Sequence, residues 1–102
     1  MSSRLEQLLE MLKAEPQDAF LRYAVALEYE AAGNIAEAIS RIESLLSDNP
    51  DYLGAFYQLG QYYEMTGQPD RASIIYERGI ELARQKGNTK TLGELQTALN
   101  LL

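Results

Sequence analysis

Residues 29–38 read YEAAGNIAEA and residues 63–72 read YEMTGQPDRA. The stretches agree at four places that are each 34 residues apart: Tyr29 and Tyr63, Glu30 and Glu64, Gly33 and Gly67, Ala38 and Ala72. Moving outward, the same offset lays Tyr23 on Tyr57, Glu43 on Glu77 and Pro16 on Pro50, and it pairs the small Ala26 with the small Gly60. One coincidence of this kind would mean little. A shared offset means a duplicated supersecondary unit.

Each unit has the pattern of two helices around a glycine turn. From about Asp18 to Ala32, an Asp able to cap is followed by Leu21, Val25, Tyr29 and Ala32 at helical spacing, and Gly33-Asn34 stops the run. From Ile35 to about Ser47 a second apolar stripe runs through Ala38, Ile39, Ile42, Leu45 and Leu46, and Asp48-Asn49-Pro50 closes it. The second unit repeats the scheme with Phe56, Leu59 and Tyr63, then Gly67, then Ala72, Ile75, Tyr76, Gly79, Ile80 and Leu82. Pro69 stands where the first turn of a helix accepts proline. No segment alternates with period two, so an all-α domain is expected.

These residues resemble the tetratricopeptide repeat family. Its motif asks for an aromatic, a large-small pair and a second aromatic on the first helix, Gly at the turn, then Ala, a bulky residue, a small residue and a closing Pro. Phe56, Leu59-Gly60, Tyr63, Gly67, Ala72, Tyr76 and Gly79 fit it well. In the first repeat Val25-Ala26, Tyr29, Gly33, Ala38 and Pro50 fit, but Arg22 stands where the first aromatic belongs and Leu45 where a small residue is usual. A shift of Phe20 and Leu21 into the place of the missing aromatic is the expected remedy. The resemblance implies an α-solenoid of about six helices in a right-handed superhelix. Residues 18–50 form the first repeat and 52–84 the second. Gln85 to Asn88 make a lengthened turn.

The flanks read as capping helices of one domain spanning 1–102, because a stacked repeat leaves an apolar face at each end. Over 3–15, Leu5, Leu8, Leu9 and Leu12 make one stripe, with Ser3 and Glu6 spaced as a capping box. Glu6 and Glu10 interrupt the apolar run, so neither a signal segment nor a membrane span is expected there, and a cytoplasmic location is the default. Over 89–102, Leu92, Leu95, Leu99 and Leu102 make another stripe, with Thr91 and Glu94 as a second capping box.

The 102 residues contain no Cys and no His. That excludes disulfides, thiolate and imidazole metal sites, and nucleophilic or acid/base arrangements built on either residue. The stretch Gly87-Asn88-Thr89-Lys90-Thr91 has Thr before its Lys and no strand ahead of it, so it is a turn and helix start rather than a phosphate loop. No catalytic residue, cofactor or metal is expected, and the protein is read as a non-enzyme. The net charge of −6 argues against nucleic acid and anionic membranes as partners. Residues 1–51 hold ten acids and four bases, while residues 52–102 hold five of each.

A protein or peptide partner is what the resemblance implies, bound in the concave groove that the first helices of the repeats face. The groove positions fall on Phe20, Tyr23, Leu27, Glu30 and Ala31 in the first repeat and on Tyr57, Gln61, Glu64 and Met65 in the second. Family members that bind chaperone tails hold a C-terminal carboxylate with Lys, Asn and Arg. Here Tyr23, Leu27, Tyr57, Gln58 and Gln61 occupy that region without a positive charge, so an apolar or aromatic peptide with basic flanks is expected instead. The alternative function is a structural protein that forms a homodimer through its capping helices, since Leu101 widens the apolar surface of the last one.

Overall fold

The structure, a computed structural model, describes residues 3–102. Among these the chain forms six helices and no strand: α1 (Arg4–Ala14), α2 (Ala19–Ala31), α3 (Ile35–Asp48), α4 (Leu53–Met65), α5 (Pro69–Lys86) and α6 (Thr89–Asn100). They divide into two compact units, one reaching to Pro50 and one beginning at Asp51.

The helix ends follow the polar residues in the sequence. Side chains of Ser3, Asp18 and Asn34 accept hydrogen bonds from the backbone N–H groups of Glu6, Leu21 and Glu37, at 3.1, 2.9 and 3.2 Å. Each bond satisfies a donor that has no partner within its helix. The stops recur with the repeat. Gly33 lies at φ +85°, and Gly33 and Asn34 donate back to the carbonyls of Glu30 and Tyr29 at 2.9 and 2.8 Å. Gly67 lies at φ +72°, and Gly67 and Gln68 do the same to Glu64 and Tyr63 at 3.1 and 2.7 Å. This is the Schellman termination, and it needs a left-handed residue that glycine adopts without a Cβ penalty.

A third stop of the same kind corrects the expected boundary after the second repeat. Gln85 and Lys86 are not turn residues but the last turn of α5, and the chain turns at Gly87, φ +67°, with Asn88 donating to the Ala83 carbonyl at 3.0 Å. Gln and Lys are good helix formers, so the helix runs until the glycine ends it. Asn88 then caps α6 by accepting from the Thr91 N–H at 3.0 Å, so Thr91 lies inside the helix and is not its cap.

In the first unit α2 packs on both α1 and α3. Leu8, Leu21 and Val25 form a buried cluster against which Leu5, Leu9, Leu12, Ala24 and Tyr29 pack. Ala26, Ala38, Ile42 and Leu45 are fully buried. Of the two residues expected to replace the missing aromatic, only Leu21 turns inward, and Phe20 is 68% exposed. Arg22 itself occupies the gap. Its side chain is 13% exposed, and its guanidinium binds Asp48 Oδ2 at 3.0 Å and donates to Ser44 Oγ at 3.1 Å, tying α2 to α3. A long apolar stem with its charged head held by partners can fill a position designed for a ring. Tyr29, expected in the core, is half-buried and lies under the Arg41 guanidinium at 5.0 Å.

In the second unit α5 packs on α4 and α6. Phe56, Leu59, Tyr63, Tyr76 and Leu95 are buried as the pattern requires, together with Tyr62, which the repeat pattern does not mark. Two glycines make the packing possible. A Cβ on Gly60 would lie 2.6 Å from Tyr76 Cδ1 and closer to Cε1 and Cζ, and one on Gly79 would lie 2.8 Å from Phe56 Cβ and 3.0 Å from Leu95 Cδ1. Helices that approach this closely admit no side chain at the crossing.

Candidate functional site

In the first unit the expected groove residues Phe20, Tyr23, Leu27 and Glu30 follow one another along a single face of α2. Phe20 is exposed, and the other three are half-buried. They form a stripe of mixed apolar and acidic character on the helix surface.

In the second unit three of the four expected residues come together. Tyr57, Gln61 and Glu64 of α4 line one wall of a concavity of about 580 Å³. Met65 does not line it and is 63% exposed. The other wall belongs to α6, through Lys90, Glu94 and Thr97, with Ala98 and Leu101 beyond them. The repeat motif assigns none of these α6 residues to the groove. Their spacing of three and four marks a helix face, but the stronger hydrophobic signal on the same helix, Leu92, Leu95, Leu99 and Leu102, lies on its opposite side. Lys90 also corrects the expectation of a groove without positive charge. Among the described residues it makes no ion pair.

Behind that α4 wall a hydrogen-bonded triad joins α4 to α5. Gln61 Nε2 donates to the Tyr76 hydroxyl at 2.6 Å and to Glu64 Oε2 at 3.3 Å, and the Tyr76 hydroxyl donates to the same Glu64 oxygen. The repeat motif marks Tyr76 as a bulky packing position of α5. Its side chain is fully buried, the ring 6.3 Å from the Tyr57 ring at a tilt of 41°, and its hydroxyl holds Gln61 and Glu64, which do line the concavity. Burial, and after it the hydrogen bond to Glu64, holds the Tyr76 phenol well above its ordinary value. The phenol therefore stays protonated and remains a donor. Glu64 is exposed but held, one carboxylate oxygen fixed by two donors.

The concavity brings together the Tyr57 ring, the held Glu64 carboxylate, the Lys90 ammonium group, which has no ion pair among the described residues, and an apolar edge. The tetratricopeptide repeat family model matches residues 29–99, across both glycine turns and into α6. The chain belongs to the tetratricopeptide repeat family. Two solved structures of a tetratricopeptide repeat domain protein from Salinibacter ruber are 43% identical to this tetratricopeptide repeat protein. The solution structure has a TM-score of 0.79 and covers 82% of this chain and 85% of that one. The crystal structure has a TM-score of 0.76 and covers 80% and 91%. The solution structure of a protein from Bordetella parapertussis, 25% identical, has a TM-score of 0.85 over 98% of this chain and 87% of that one. None of the curated proteins matches. Tetratricopeptide repeats are in general protein-interaction modules, and this chain is a small one of that kind. Among its described residues no helix is long and apolar enough to cross a membrane.

Proposed function

We propose that the chain is a non-enzymatic module that binds a peptide or a helix of another protein in the concavity between α4 and α6. The observation that carries this reading is the convergence of Tyr57, Gln61 and Glu64 with a second helix face around one open depression. Tyr57 offers rigid contact area at low entropic cost, and Ala98 and Leu101 offer apolar contact beside it. The α2 stripe of Phe20, Tyr23, Leu27 and Glu30 is the corresponding surface of the first repeat. Selection of peptides from a random display library tests the reading. Tyr57→Ala is expected to weaken the selected peptide by roughly tenfold or more, a central aromatic contact being worth upward of 1 kcal/mol, with the helical signal unchanged. Tyr23→Ala tests the first repeat separately. A Tyr57→Ala protein that binds the peptide as well as the parent would place binding elsewhere.

A second reading, a homodimer through the terminal helices, is favoured by Leu101 and Leu102, which are 80% and 45% exposed. Light scattering across a concentration series separates the two, since a monomer at every concentration removes the dimer.

A further inference from the structure

The triad behind the concavity wall satisfies most of its own donors. Gln61 Nε2 donates to both the Tyr76 hydroxyl and Glu64, and the single hydroxyl hydrogen of Tyr76 goes to Glu64. Glu64 Oε1 and the amide oxygen of Gln61 are left as acceptors with no protein partner among the described residues. Because the Tyr76 phenol is held protonated and its ring is fully buried, this arrangement is fixed before any ligand arrives.

A wall that presents these two acceptors, one of them a carboxylate, is complemented by a group rich in donors and positively charged. We propose that the concavity receives an arginine side chain of the partner peptide, its guanidinium donating to Glu64 Oε1 and the Gln61 carbonyl and stacking on the Tyr57 ring. This rests on the reading of the concavity as a peptide site. Three properties of the site select arginine over lysine. The two acceptors suit a planar fork better than a point charge, Tyr57 offers a half-buried ring face, and Ala98 with Leu101 gives the methylene stem an apolar edge. Charge agrees, since Glu64 and Glu94 outnumber Lys90 among the lining groups.

The probes are four capped tripeptides, Ac-Ala-Xaa-Ala-NH2 with arginine, lysine, citrulline or glutamate at the centre, titrated into the full isotopically labelled chain. Amide shifts of Tyr57, Gln61, Glu64 and Ala98 report binding. The arginine peptide is expected to saturate these shifts. Citrulline, which keeps the plane and loses the charge, is expected to bind roughly tenfold more weakly, the scale of one charge-assisted hydrogen bond. Glu64→Gln should weaken the arginine peptide by the same roughly tenfold factor, and Lys90→Gln should leave it unchanged or tighten it. Equal binding of citrulline, an indifferent Glu64→Gln, or preference for the glutamate peptide with loss in Lys90→Gln would each overturn the assignment. If a library-selected peptide moves these amides and the arginine probe does not, arginine falls and the groove stands. If nothing moves them, the groove reading falls as well.

Discussion

Replacing Gly60 by alanine puts a methyl group into the space of the Tyr76 ring. In an open helix interior the same change is favourable by about 1 kcal/mol, because alanine restricts the unfolded chain and glycine does not. Gly60 is not open. The added carbon would lie 2.6 Å from Tyr76 Cδ1 and nearer to two other ring atoms, against an ordinary carbon contact of about 3.5–4.0 Å. The ring must retreat by about 1 Å or α4 and α5 must separate by as much. Retreat is obstructed, because the ring is fully buried and its hydroxyl is bound to Gln61 and Glu64. Overpacking of this kind costs about 1–3 kcal/mol, and displacing the hydroxyl adds about 1 kcal/mol more. After the propensity gain the net loss is about 1–3 kcal/mol, which for a domain of this size lowers Tm by roughly 5–15 °C. Thermal and urea unfolding followed by circular dichroism measure it. Gly93→Ala is the control: it lies within α6 with nothing inside 4 Å of its Cβ position, and a gain of about 0.5–1 kcal/mol is expected. A Gly60→Ala protein as stable as the parent would refute the close approach of α4 and α5.

Asp48→Ala removes the partner of a guanidinium whose side chain is only 13% exposed. A loss of about 1–2 kcal/mol is expected, between the surface and buried limits, whereas Glu10→Ala, whose pair with Lys13 is exposed on both sides, should change stability by less than about 0.5 kcal/mol. Alkaline pH acts through Tyr76. Its phenol titrates above its ordinary value of 10.0 in the folded chain, so its contribution is complete below pH 10 and declines as pH rises beyond it, when only the unfolded state loses the proton. The slope from this one group is at most about 1.4 kcal/mol per pH unit. Tyr76→Phe should show a shallower alkaline decline in urea-unfolding free energy, and an unchanged slope would contradict the assignment.

The period of 34 residues was legible because its markers are residues with little freedom of substitution. Gly33 and Gly67 must turn left-handed, and Ala38 and Ala72 are fully buried. The caps Ser3 and Asp18 were legible for the same reason, each with one geometric task. What escaped the sequence were positions with two solutions. Phe20 and Leu21 are adjacent and both apolar, and only packing decides that Leu21 enters while Arg22 supplies the remaining volume. Tyr76 satisfies the core pattern with its ring and ties down Gln61 and Glu64 with its hydroxyl, and periodicity reports only the ring. The α6 wall was hidden because its contributors are chemically mixed, so no hydrophobic period marks it.

The concavity thus divides into parts of unequal freedom. Tyr76 cannot change without disturbing the joint between α4 and α5, and Gln61 and Glu64 are tied to it. Lys90, Glu94 and Thr97 are exposed on α6 and take no part in the buried core. For the proposed peptide site, a change of ligand preference is therefore a task for a library confined to those three positions, screened on an unaltered triad. Such a library keeps the acceptors of the α4 wall constant and varies only the α6 wall, so changes in preference can be sorted without a correction for folding defects.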